Sequence, residues 1–206
     1  MQTAAGRRSA IATAGKYVAL DLSACTMAGT EFAPGTGAGA DKITALLLPE
    51  SAKSIKANAT FTAFAALAFI DGEGVETIGE EAFWEFTSLT EVNLPAATTI
   101  GASVFFGCKR LTSVRLLMAT TIGAEAFGVC TSLTTVRLPT TPPSIGGAIF
   151  NAANHDNNDG AITVRVPITV AVSAYTSAWG VSVNTSANGN TDVYGDKHKA
   201  VTIAVQ

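Results

Sequence analysis

Charged side chains are scarce in this chain: 14% of its 206 residues are Asp, Glu, Lys or Arg, against about 25% in an ordinary globular domain. With 48% hydrophobic residues beside them, this excludes a disordered acidic or basic tail as the bulk of the protein. Net charge is -3, so no general basic field exists to hold nucleic acid, and an anion site has to be local. Cysteine is sparse and odd in number, at Cys25, Cys108 and Cys130, far below the density of a disulfide-stapled scaffold. Long apolar runs are missing as well. The longest, Ala63 to Ile70, falls well short of the roughly 20 residues that cross a bilayer, and membrane insertion is not expected. The opening residues carry Arg7 and Arg8 with no apolar segment after them, so no secretory or twin-arginine leader is read there.

The means of catalysis are nearly absent too. His155 and His198 are the two histidines, and neither stands at a spacing from Cys, Glu or a second His that a zinc site needs. No serine occupies a G-x-S-x-G elbow, and no hydroxyl has a marked base. The Asx-rich stretch Asn154 to Gly160 has the composition of a calcium loop. However, placing Gly160 sixth puts His155 first and Val166 twelfth, where the ion needs carboxylates. It reads as a solvated loop. The expectation is a protein with no catalytic residues, no metal and no cofactor.

What the chain does have is a repeat. Ile-Gly recurs at Ile78-Gly79, Ile100-Gly101, Ile122-Gly123 and Ile145-Gly146, and other columns keep step with it. They are Phe61, Phe83, Phe105 and Phe127; Phe64, Phe86, Cys108 and Cys130; Leu67, Leu89, Leu111 and Leu133; and Ile70, Val92, Val114 and Val136. The spacing is 22 residues in each of these four columns and 22, 22 and 23 for Ile-Gly, inside the range of about 20 to 29 typical of leucine-rich repeats. A single such turn cannot bury its apolar face, whereas stacked turns share a continuous core. In Leu89 to Leu94 the inward Val92 and Leu94 flank the outward Asn93, the alternation of a half-buried strand. Pro95 ends that strand, and the Ile-Gly pair marks a second corner, where glycine removes a Cβ at a tight bend.

Written out, the unit is L-x-x-V-x-L-P-x-x-x-x-I-G-x-x-x-F-x-x-C-x-x, and over residues 67–150 it resembles the BspA-like leucine-rich repeats. The clearest matches are Ile122-Gly123, Ala126-Phe127, Cys130, Leu133 and Val136-x-Leu138-Pro139. Departures are Phe64 and Phe86 in the cysteine column, Leu117 in place of proline, and a degenerate, alanine-rich first half. Weaker matches lie at Tyr17 to Cys25 and Ile43 to Ile55. The resemblance implies a mainly β, right-handed leucine-rich-repeat solenoid with turns of ~22 residues and capped ends. It further implies adhesion and protein-protein contact at a cell surface or outside the cell, with no chemistry attached. The organisation expected is an N-terminal segment and cap at 1–42, the array at 43–150 and a C-terminal cap at 151–206. That last cap holds Val164 to Pro167, a helical piece from Ala171 to Gly180, and two strands, Val181 to Asn184 and Val201 to Val205, around Asn188-Gly189.

Cys108 and Cys130 fall in one inward column on adjacent turns. A disulfide is sterically allowed at that separation, but phenylalanine fills the same slot at 64 and 86, so the column reads as core with free thiols. The outward strand column reads Asn93, Arg115, Arg137 and, on the capping strand, Arg165. Like charges on neighbouring strands repel, which leaves two readings: a basic stripe for a carboxylate, a sulfate or an acidic protein surface, or a solvated face that keeps the sheet soluble, with Asp71 of the same column neutralising part of it. The first makes Asn93, Arg115, Arg137 and Arg165 the binding residues of a non-enzymatic protein-binding module, its partner a protein and acidic. The alternative is a structural subunit that self-associates or decorates a cell or virion surface.

Overall fold

The computed structural model describes residues 17–35, 38–58 and 61–150, and the backbone of the strands at 162–166, 182–185, 191–194 and 200–205. In chain order the described strands are β1 (Val18–Asp21), β2 (Glu31–Phe32), β3 (Ile43–Leu47), β4 (Ser54–Ile55), β5 (Phe69–Asp71), β6 (Thr77–Ile78), β7 (Glu91–Asn93) and β8 (Thr99–Ile100), then β9 (Ser113–Arg115), β10 (Thr121–Ile122), β11 (Thr135–Arg137), β12 (Ser144–Ile145), β13 (Ile162–Val166), β14 (Ser182–Thr185), β15 (Thr191–Tyr194) and β16 (Ala200–Val205). The odd-numbered strands from β1 to β13 lie side by side in a ten-stranded sheet that β16, β15 and β14 complete. The even-numbered strands from β2 to β12 make a second sheet of six. Within the array every pairing is parallel, which a chain winding in one direction imposes. The molecule is a β-solenoid of stacked coils, mainly β as the repeat implies, and both sheets continue upstream of Ile43 through β1 and β2.

Each turn has three sides. The first is the longer strand, with its inward valine or isoleucine: Ile70, Val92, Val114 and Val136 are all buried. The second is the Thr-Ile or Ser-Ile strand. The third has no strand, yet it is hydrogen-bonded just as regularly. The amides of Glu81, Phe83 and Glu85 donate forward to the carbonyls of Ala102, Val104 and Phe106, and those of Ser103, Phe105 and Gly107 to Ala124, Ala126 and Gly128. Left-handed residues recur on this side at Glu81, Ser103, Glu125 and Ala148, and again at Glu85, Gly107 and Val129. Backbone groups that a bare corner would leave orphaned are thereby paired turn to turn.

Inside, the phenylalanine column forms one stack. Successive centroids from Phe61 through Phe83, Phe105 and Phe127 to Phe150 lie 4.7, 5.3, 5.5 and 5.5 Å apart. Identical residues on parallel turns stack in register, and each ring closes the void beneath the next. At the second corner the glycines are demanded by space. A Cβ on Gly79, Gly101, Gly123 or Gly146 would come within 2.3 to 2.5 Å of a backbone nitrogen of the preceding turn, a closer approach than any side chain tolerates. At the corner expected there, glycine thus also permits a close contact between turns.

The C-terminal strands depart from expectation. β14 pairs antiparallel with β15, not with the strand at 201–205. That strand, β16, runs parallel to β13 and antiparallel to β15. The last strand is therefore inserted between the β14–β15 pair and the array. Asn188-Gly189, the Asx-rich stretch at 154–160, both histidines and the segment 171–180 lie outside the described residues.

Candidate functional site: the outer face of the ten-stranded sheet

Strand register puts the predicted column in line. Asp71 stands opposite Asn93, Asn93 opposite Arg115, Arg115 opposite Arg137 and Arg137 opposite Arg165, with neighbouring strands about 4.8 Å apart. Asp71 and Asn93 are half-buried, whereas Arg115 and Arg137 are exposed. A second column runs beside it on the same face: Phe69, Glu91, Ser113, Thr135 and Thr163. Composition along the sheet is thus graded, apolar at Ala45, Leu47 and Phe69, acidic at Asp71 and Glu91, then arginine beside hydroxyl on three successive strands. The hydroxyl column was not singled out in the sequence, although its period was visible there once the arginines were aligned.

Asn93 divides the two charged stretches. Its Nδ2 donates to Asp71 Oδ2 at 3.1 Å, while its Oδ1 is buried with no hydrogen-bond partner. Asp71 is therefore engaged with the amide and stands two strands, about 10 Å, from Arg115, close to one Debye length at 0.1 M salt.

The thiols belong to the core. Cys108 and Cys130 are free and buried, and each donates its S–H to the phenylalanine carbonyl of the turn beneath, Cys108 Sγ to Phe83 O at 3.1 Å and Cys130 Sγ to Phe105 O at 3.0 Å. Burial pushes the Cys108 thiol up to about 12, the backbone of Phe86 opposing it in part. Burial first, and the neighbouring Cys108 second, push Cys130 well up. A neutral buried thiol is neither a nucleophile nor a metal ligand. Among the described residues no group of three His, Cys, Asp or Glu is placed to hold a metal ion. No helix among them is long and apolar enough to cross a membrane.

Fold, register and core columns together define a leucine-rich-repeat protein. The model of the BspA type leucine rich repeat region matches residues 38–156 in six copies, and the chain belongs to that family. Among solved structures it is similar to a leucine-rich repeat protein of T. pallidum, at 23% identity over 71% of this chain and 77% of that one, with a TM-score of 0.50. It is also similar to a leucine-rich repeat protein from Bacteroides ovatus, at 18% identity over 68% of this chain and 44% of the other, with a TM-score of 0.40. No curated protein matches the chain significantly.

Proposed function

We propose that the chain is a non-enzymatic protein-binding module of a surface or extracellular protein, and that the outer face of its ten-stranded sheet takes an acidic partner through Arg115, Arg137 and Arg165, with Asn93 at the boundary of the basic stretch. The observation that carries this reading is the strand register, which aligns three arginines at strand spacing beside Ser113, Thr135 and Thr163. An arginine donates a planar fork suited to a carboxylate, and a hydroxyl beside it adds a donor. A stack that is rigid before binding loses little freedom when a partner docks. Membership of a repeat family whose turns supply surface and no catalytic group supports the same conclusion.

The test is a titration with a fluorescent oligoglutamate peptide across a salt series. Each Arg→Ala change should weaken binding by up to about fivefold, the range of an exposed ion pair, and added salt should weaken it steeply. Affinity indifferent to salt and to the triple alanine variant would move the binding surface elsewhere and leave these arginines as solvated charge. Light scattering separates the structural-subunit reading: polymers that grow with protein concentration would favour self-assembly over a binding module.

A further inference from the structure

On the third side of the solenoid a second surface has the opposite character. Trp84 is 42% exposed, unusual for the largest apolar side chain, and its indole stacks on Phe106 of the next turn at 4.4 Å with an interplanar angle of 14°. Phe106 in turn leans over Gly128, where a Cβ would meet its ring at 2.7 Å. The two aromatics are thus supported from the C-terminal side. Away from Phe106, the indole borders a cleft of about 430 Å³ that reaches back to Asn58, Phe61 and Ala65 on the preceding turn.

Glu81 and Glu85 both line the cleft with the indole, and both are held in the left-handed backbone region, with φ of 54° and 53°; the stem of Glu85 runs against Gly107 of the next turn. Neither glutamate forms an ion pair among the described residues, where the pairs are Lys42 with Asp41 and Lys53 with Glu76. Among the described residues no cationic side chain lines the cleft. Lys56, two residues before Asn58, and Lys109 and Arg110, which take the positions of Thr87 and Ser88 one turn further on, are the nearest in sequence, and all three are exposed.

We infer that the cleft beside Trp84 is a docking site for an arginine or lysine side chain of a partner polypeptide, its cation lying on the open indole face between Glu81 and Glu85. Charge complementarity selects this occupant. A cation over a tryptophan face is attracted by the ring's negative quadrupole, and two carboxylates with no ion pair among the described residues supply what a guanidinium or ammonium needs. A neutral sugar could cover the indole, but it would desolvate both carboxylates and offer no compensating charge. This site lies away from the arginine column, so the two can fail independently.

The test uses the full chain with Trp179→Phe, which leaves Trp84 as the single tryptophan reporter. An acetyl-Gly-Arg-Gly-amide peptide should shift Trp84 fluorescence saturably, and its citrulline counterpart, the same shape without charge, should bind at least about fivefold more weakly. Glu81→Gln and Glu85→Gln should each reduce binding of the arginine peptide several-fold with an unchanged circular dichroism spectrum, while Arg115→Ala and Arg137→Ala leave it intact. Equal binding of the citrulline peptide, indifference to both glutamine variants, or no saturable shift would overturn the proposal. A shift with a neutral oligosaccharide but not with the peptide would make the cleft a glycan platform instead. A shift driven by protein concentration alone would assign the occupant to a second copy.

Discussion

Val129 holds a φ of +54°, a region in which a β-branched side chain is crowded against its own backbone. Its column explains the strain. Glu85 and Gly107 occupy the same left-handed position on the two preceding turns, and the amides of both donate to the following turn, so the backbone shape is set by the stack and not by the residue. Releasing Val129 to glycine should relieve about 1 to 2 kcal/mol of left-handed strain, less the roughly 0.5 to 1 kcal/mol that glycine's extra freedom costs. We expect Val129→Gly to raise the melting temperature slightly. Gly123→Ala should do the reverse, because its Cβ would lie 2.4 Å from the Ala102 nitrogen with no flexible group to move aside. A loss of about 3 kcal/mol is expected from such overpacking against backbone. Thermal denaturation of both variants checks the pair, and a destabilised Val129→Gly would mean that the side chain's packing outweighs its strain.

At the scale of the element, each turn is held by a buried ladder and an outer one, and they do not weigh equally. The phenylalanine stack is buried from Phe61 to Phe127 and partly buried at Phe150, and Phe127 lies between Phe105 and Phe150 at 5.5 Å from each. Phe127→Ala should cost about 3 to 5 kcal/mol. Threonine columns form an outer ladder: Thr90, Thr112 and Thr134 each donate a hydroxyl to the carbonyl one turn back, at 2.8, 3.0 and 3.1 Å. Thr134→Ala therefore removes a real bond, but an exposed one, and a loss of about 0.5 to 1.5 kcal/mol is the expected ceiling. Urea denaturation of the two variants should separate them clearly, and equal midpoints would place Phe127 outside the core. The ladders also explain what could be read from sequence. Where turns keep 22 residues, as from Ile70 through Val92 and Val114 to Val136, every inward column is legible because apolar side chains recur at one fixed spacing. Upstream, Leu20 faces Leu46 and Leu46 faces Ile70, separations of 26 and 24 residues, so fixed-period reading loses the columns although the pairing persists. The arginine line was legible for the same reason as the core, whereas the Trp84 cleft was not, since it arises once in the array and depends on neighbours from two turns.

For the molecule as a whole, a single continuous core implies that its buried groups become accessible together. Cys108 and Cys130 lie in adjacent turns of that core, and Cys25 is only half-buried in an upstream one. A thiol reagent should label Cys25 in the native protein and reach the other two at one shared rate set by opening of the stack. Alkaline pH should act through the same pair. In the unfolded chain a thiol loses its proton near the ordinary value of 9.0, whereas folded Cys108 holds it to about 12. Between those limits the native state binds more protons than the unfolded one, so stability is fully present below pH 9 and falls as pH rises toward 12. Each thiol can contribute a slope of at most about 1.4 kcal/mol per pH unit. Urea midpoints measured from pH 8 to pH 11 should thus decline more steeply for the wild type than for Cys108→Ala, which starts less stable but lacks that titration. Parallel slopes would show that Cys108 meets water in the folded protein, and with it that the turns do not close over their third side as a continuous stack.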